Sequence, residues 1–234
     1  MTDHHEAETG RSVALIVGAG PGFSASVARK LAARGTAVAL ASRTPQTALA
    51  EEIGGRAYSL DAGDAATTAA LFAAVESDLG VPDFVMYNAS ARVRGLLTEL
   101  DPAAVEAALK VMALGPFLVA REAAQRMVPR GGGRILLTGA TASVKGMPTS
   151  ASFAMGKFAM RGLAQAMARE MQPKGIHTLH VVIDGAIEKP GRAPPSQDAH
   201  LDPDAIADAA LAALDQPRSA WSWEIELRPW VETF

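Results

Sequence analysis

Short runs of Val, Ile and Leu alternate along the chain with longer alanine-rich stretches whose apolar positions recur at helical spacing. Continuous apolar runs of this length fit strands buried on both faces of a parallel sheet, and the stretches between them fit the crossover helices. The strand candidates are Val13–Val17, Ala37–Ala41, Arg56–Ser59, Phe84–Asn88, Arg134–Thr138, His177–Ile183 and Ala220–Leu227. The helices are predicted over Ser24–Arg34, Gln46–Ile53, Ala65–Leu79, Pro102–Met127, Ser150–Gln172 and Pro203–Asp215. The pattern predicts an α/β fold with one doubly wound parallel sheet of about seven strands in a single domain.

Two helix starts carry their own chemical mark. Asp101 precedes Pro102 and Asp202 precedes Pro203, which puts a capping carboxylate before a proline whose missing N–H costs nothing in the first turn. The segment Glu188–Leu201 holds Pro190, Pro194 and Pro195 and has no apolar period, so it reads as a loop over the carboxyl edge of the sheet, where a substrate lid would sit. Residues 1–10, MTDHHEAETG, are polar and read as a disordered tail ahead of a domain over 11–234, with no part for His4 or His5.

Composition narrows the partners. At 234 residues, 24.3 kDa and 49% apolar content, the chain is long enough to bury a sizeable core. A formal net charge of −3 and the lack of any Lys/Arg run speak against nucleic acid. Cysteine is absent, which excludes a disulfide framework or cysteine-bound metal and suits a reducing, cytoplasmic setting. No uninterrupted run reaches the roughly 18 apolar residues of a membrane span, so no membrane partner is expected.

The chemistry begins after the first strand. Val13–Val17 runs into Gly18-Ala19-Gly20-Pro21-Gly22-Phe23-Ser24 and then a helix. Glycines let the backbone turn tightly against a pyrophosphate, and the helix start offers free N–H groups and a positive dipole end. The competing reading is a glycine-rich turn that binds nothing. At the end of the second strand stand Ser42 and Arg43. A 2′-phosphate on the cofactor ribose calls for a cation there, where a bare ribose favours an acidic residue. NADP(H) is therefore expected, unless Arg43 is a solvated surface charge. Asp61, ending the third strand, would face the adenine.

These elements resemble the short-chain dehydrogenase/reductase family over roughly Ser12–Leu227. Gly18, Gly22 and Ser24 are similar to its T-G-x-x-x-G-x-G element, with Val17 for Thr and Ser24 for the last Gly. Asn88-Ala89-Ser90 resembles its N-A-G, which packs beside the adenine ribose. Gly185-Ala186-Ile187 resembles the segment that binds the nicotinamide amide, with Asp184 in place of proline. The resemblance implies a Rossmann-like fold, NADP(H) held by these residues together with Gly20, Phe23 and Lys157, and a homotetramer or homodimer packed through the long helices Pro102–Met127 and Ser150–Gln172.

The catalytic positions depart from the family. Its Tyr and Lys, four apart on one helix face, correspond to Phe153 and Lys157; its serine, thirteen residues before the tyrosine, corresponds to Ala140; its asparagine corresponds to Met112. Of the usual four only Lys157 survives. Reduction of a neutral ketone needs a proton for the developing alkoxide, and a positioned acid contributes about 10²–10⁴-fold. Phe153 cannot supply it.

Three readings stay open. Another donor, among Thr141, Ser143, Asp184, a water or Lys157, replaces the tyrosine; Thr141, Ser143 and Asp184 also fit as residues that only hold turns. Alternatively the small-molecule substrate is an imine or iminium that needs hydride alone, with the Phe153 face favouring a cation by about 0.5–2 kcal/mol. Third, the protein binds NADP(H) without redox turnover, as a regulator or scaffold. The primary reading is an NADP(H)-dependent oxidoreductase acting on a small carbonyl or imine-like molecule.

Other features read as structural. His177 and His180 stand three apart on a strand and point to opposite faces, so they form no metal pair, and no metal is expected. Glu224 and Glu226 share a strand face opposite Trp221, Trp223, Ile225 and Leu227 and read as a solvated or interface side. Met155, Met160, Met167 and Met171 read as packing. The tail Arg228–Phe234, with Pro229, Trp230 and Phe234, is expected to complete a neighbouring subunit.

Overall fold

The computed structural model describes residues 11–188, 191 and 194–231. The expected tail over 1–10, and Pro190 and Phe234, lie outside the described residues. Seven parallel strands form one sheet: β1 (Val13–Val17), β2 (Ala37–Ser42), β3 (Arg56–Ser59), β4 (Phe84–Tyr87), β5 (Gly133–Thr138), β6 (Ile176–Ile183) and β7 (Glu224–Leu227). Their order is β3-β2-β1-β4-β5-β6-β7, every pairing parallel. The strand order reverses between β1 and β4, which opens a crevice at the carboxyl ends of those two strands.

The helices are α1 (Phe23–Ala33), α2 (Thr47–Ile53), α3 (Ala65–Leu79), α4 (Pro102–Leu109), α5 (Gly115–Met127), α6 (Ala151–Met171) and α7 (Pro203–Leu214). Both faces of the sheet are covered, as the continuous apolar strands require. Val13, Leu15 and Val17 pack with Phe72 of α3, Val119 of α5 and Met160 of α6. Ala14 and Ile16 pack with Val27 of α1 and with Ile206 and Leu211 of α7. The capping carboxylates act as expected: Asp101 accepts from the N–H groups of Ala103 and Ala104, and Asp202 from Asp204.

Two elements differ from expectation. The helix predicted over Pro102–Met127 is interrupted at Lys110–Leu114 by a π turn. Pro116 has no N–H to continue the helical ladder, and the Tyr87 hydroxyl donates to the carbonyl of Val111. Both favour a local widening of the helix. Gly115 makes room for the tyrosine, because a Cβ there would lie 2.3 Å from its hydroxyl.

The last strand is shorter than Ala220–Leu227. Residues 218–220 form a 3₁₀ turn. Trp221 then stacks on His177 with centroids 4.5 Å apart, and its indole donates to the carbonyl of Gln216. These docking contacts replace ladder pairing until Glu224. The stretch Pro102–Arg130 is long and apolar enough to cross a membrane by length and composition alone, although Glu106 and Lys110 keep it from being an uninterrupted apolar run. Here it packs against α3, α6, β4 and β5, with a third of its most apolar window buried.

Candidate active site

Most of the residues singled out from sequence gather along the carboxyl edge of the sheet, at strand ends and in the turns that follow them, while Phe23 and Ser24 open α1 and Phe153 and Lys157 stand on α6. After β1, Gly18 has a φ of +79° and Gly22 one of +93°. A Cβ on Gly18 would lie 2.2 Å from the Ala89 backbone nitrogen, so the turn after β1 touches the turn after β4. Asn88 fastens the two by donating from Nδ2 to the carbonyl of Gly18 at 3.1 Å, and Gly18 N–H bonds the carbonyl of Ala41.

A Cβ on Gly20 or Gly22 would meet nothing within 4 Å. Gly22 is the N-cap of α1, with no side-chain cap and no acid in the first turn. The loop thus leaves an open concavity over uncapped helix N–H groups, which fits a pyrophosphate. Ser24 is buried and its hydroxyl bonds both N–H and carbonyl of Gly20 at 3.0 Å, holding the loop from behind. The Phe23 ring is core, so this residue faces a ligand with its backbone alone.

Beside the loop a cavity of about 210 Å³ is lined by Gly18, Ser42, Arg43, Asp61, Asn88 and Ala89, among others. Its place beside the loop and its lining fit the adenosine half of a dinucleotide. Arg43 is exposed at its rim. Ser42 donates to the carbonyl of Thr44, and Asp61 accepts from the Gly63 N–H.

A second cavity, about 530 Å³, shares Asn88 and Ser90 with the first and is lined also by Arg92, Thr138, Gly139, Ala140, Phe153, Lys157, Ile183, Gly185, Ala186 and Ile187. Lys157 sits at its base, 3% exposed, and donates to the carbonyl of Thr138 at 2.6 Å. Burial, reinforced by the charge of Arg92, lowers its pKa to about 8.

Met112, Ala140 and Phe153, the positions that the resemblance sets against the family's asparagine, serine and tyrosine, lie together in the fold. Met112, Phe153, Ala108 and Ala142 form a single apolar cluster, with Ala140, Ala91 and Val93 packed against it. Gly156 lets α6 approach, since a Cβ there would lie 2.5 Å from that of Met112. These residues thus form one apolar patch beside Lys157. That patch is a source of the desolvation felt by the lysine.

Thr141, Ser143 and Asp184 do not line the cavity. The Thr141 hydroxyl donates to Asp184, whose other oxygen pairs with Arg228 at 2.6 Å. Ser143 is wholly buried, accepts from the Ala140 N–H at 3.1 Å and stands 3.5 Å from His180 Nε2. His180 Nδ1 bonds Glu224 at 2.8 Å, and Glu224 also receives a fork of two hydrogen bonds from Arg161. The reading of Glu224 as a solvated or interface residue is corrected: it joins β6, β7 and α6 within the chain. Burial lowers the pKa of His180 against the opposing pull of Glu224. Glu226 pairs with Arg228 at 2.9 Å.

The described residues hold no group of three or more His, Asp or Glu able to bind a metal. Pro229 packs against Gly185, where a Cβ would lie 2.7 Å from it, and exposed Trp230 donates to Asp198. Arg92 was missed from sequence. A lone arginine two residues beyond an N-A-S turn has no pattern of its own, and only the fold carries it over the ring of Phe153.

Residues 12–197 match the short chain dehydrogenase family. The chain belongs to that family. It is 36% identical over 197 residues to versicolorin reductase 1 of Aspergillus parasiticus, covering 80% of this chain and 73% of that one. Its fold superposes on a short-chain dehydrogenase from Rhodopseudomonas palustris with TM-score 0.81 and 33% identity, covering 94% and 99% of the two chains. A metagenomic short-chain oxidoreductase in complex with NADP superposes with TM-score 0.79 and 27% identity, covering 93% and 97%. The seven-stranded parallel sheet with helices on both faces is the Rossmann-like arrangement of this oxidoreductase family.

Proposed function

We propose that this short-chain dehydrogenase is an NADP(H)-dependent reductase of a small carbonyl compound in which Lys157, not a tyrosine, is the proton source. The observation that carries the reading is the position of Lys157: buried at the base of the larger cavity, bonded to the carbonyl of Thr138 and poised near a pKa of about 8. A lysine of that acidity is charged at neutral pH and gives up its proton readily, as a general acid should. Burying it against an apolar cluster costs stability, and a cavity that uses the charge explains why it is retained.

The cofactor would lie across both cavities. The loop Gly18–Ser24 would hold the pyrophosphate on its open backbone, Ser42 and Arg43 a 2′-phosphate, Asp61 the adenine side, Asn88 and Ala89 the adenosine ribose, and Gly185 and Ile187 the nicotinamide end. A bound nicotinamide supplies hydride to the carbonyl carbon. Lys157 then gives a proton to the carbonyl oxygen and regains one from solvent, so the net change is addition of one hydride and one proton. Thr141, Ser143 and Asp184 keep the turns after β5 and β6 in place, since their oxygens are engaged with each other, with Arg228 and with backbone.

A carbonyl is favoured over an iminium by Arg92, whose guanidinium carbon lies 4.1 Å from the centre of the Phe153 ring. The ring already carries a cation, with a second, Lys157 Nζ, 5.8 Å away. A positively charged substrate would be repelled. Titration with NADPH followed by its consumption with a panel of ketones and aldehydes and a panel of cyclic imines tests this. Saturable NADPH binding with carbonyl turnover is expected; binding with imine turnover alone would move the reading to the iminium, and binding with neither would make the protein a non-redox NADP(H) binder. We further propose a cytoplasmic homodimer or homotetramer assembled through α5 and α6, where Phe117, Met155 and Phe158, with Val128 in the turn after α5, are exposed.

A further inference from the structure

We propose that Arg92 is the anchor for a substrate carboxylate, so that the molecule reduced is a small carbonyl acid. This inference rests on the reductase reading and names the substrate class of the same cavity. The chain as a whole carries a formal charge of −3, yet the charged groups that line the larger cavity, Arg92 and Lys157, are both cations, and no described acidic residue lines it. The repulsion is felt at Lys157, whose pKa the charge of Arg92 helps lower, while the exposed Arg92 is lowered by partial burial and by the neighbouring charge of Arg94. Cations are gathered at that cost where an anion is to be received.

The two cations are held differently. Lys157 is engaged with the carbonyl of Thr138. Arg92 has no hydrogen bond or ion pair among the described residues; it is oriented by the face of Phe153 alone. A guanidinium lying on a ring keeps its N–H edge free, and two parallel N–H groups on that edge match the two oxygens of a carboxylate. The rest of the lining is uncharged: the polar Asn88 and Ser90 stand beside small or apolar residues such as Ala140, Gly185, Ala186 and Ile187. On this account Phe153 is a platform: its ring fixes the arginine that recognises the acid, in the place where the family's tyrosine would donate a proton.

The test uses three acids as probes, 2-oxobutanoate, phenylpyruvate and 4-formylbenzoate, each beside its primary amide, with inorganic phosphate as a control anion. Binding to the full chain is read by calorimetry with and without NADP⁺, and NADPH consumption is followed in parallel. At least one acid is expected to bind ten-fold or more tightly than its amide, and Arg92→Gln is expected to erase that difference by weakening the acid ten- to hundred-fold while leaving the amide and NADPH affinity unchanged. Arg92→Lys, which keeps the charge but loses the fork, is expected to recover part of it. No preference for any acid over its amide, an unchanged preference in Arg92→Gln, or tighter binding of phosphate than of every acid would overturn the assignment. Neutral carbonyl turnover without acid preference would do so while leaving the reductase reading intact; an acid preference seen by calorimetry without NADPH consumption would uphold the anchor and sink the reductase.

Discussion

Lys157 is the residue on which stability and function pull in opposite directions. Its folded pKa of about 8 lies below the ordinary lysine value of 10.5. Below pH 8 the amine is charged both folded and unfolded, and the folded state bears the full penalty of a buried charge. As pH rises from about 8 to 10.5 the folded amine loses its proton while the unfolded one keeps it, and the penalty is relieved. The gap corresponds to an order of about 3 kcal/mol. Lys157→Met should therefore stabilise the ligand-free protein at pH 7 by one to a few kcal/mol, with the advantage shrinking toward pH 10, while NADPH affinity and turnover fall. Thermal or urea unfolding of both proteins across that pH range measures it; a variant no more stable at pH 7 than at pH 10 would show that burial is not what lowers the lysine.

At the scale of elements, the strands and most helices were legible because their signals are local. Continuous apolar runs mark doubly buried strands, and Asp-Pro pairs mark the starts of α4 and α7. What was hidden depends on partners distant in sequence. The π turn at Lys110–Leu114 follows in part from Tyr87 reaching across from β4, and the short β7 from Trp221 docking on His177. The same division holds for the site. The glycine loop was readable from its strand–loop–helix context, and Lys157 with the departures at Ala140, Phe153 and Met112 through the resemblance to the family. That Met112 and Phe153 close into one apolar cluster, that Asp184 is engaged by Thr141 and Arg228, and that Arg92 lies over Phe153 are facts of folding. No periodicity in residues 88–95 announces them.

For the whole molecule, the outer faces of α5 and α6 carry exposed apolar side chains that nothing in the described residues covers. Phe117, Val128, Met155 and Phe158 are exposed, and a groove of about 460 Å³ between the helices is lined by Phe117, Ala120, Ala124, Leu163 and Met167, with Arg121, Glu170 and Lys174 at its polar positions. An apolar strip carrying both signs of charge suits a second copy of itself across a two-fold axis. Light scattering is expected to give a dimer or tetramer for the native chain and a smaller species for Phe117→Glu combined with Phe158→Glu. A monomeric native chain at micromolar concentration would remove the proposal.

In the proposed reductase, the short-chain dehydrogenase fold keeps a cofactor loop and Lys157 while the apolar cluster around Phe153 and Met112 stands where other proton-handling groups are expected. In reduction the acid must be protonated, so activity is present below its pKa and lost above it. The most direct measurement is kcat/KM for NADPH-dependent carbonyl reduction from pH 6 to 10. The account predicts a plateau at low pH and a tenfold fall per unit above an inflection near pH 8, displaced from the higher value usual for a tyrosine or lysine. A rate independent of pH across that range, or no carbonyl reduction at any pH with NADPH bound, would contradict it.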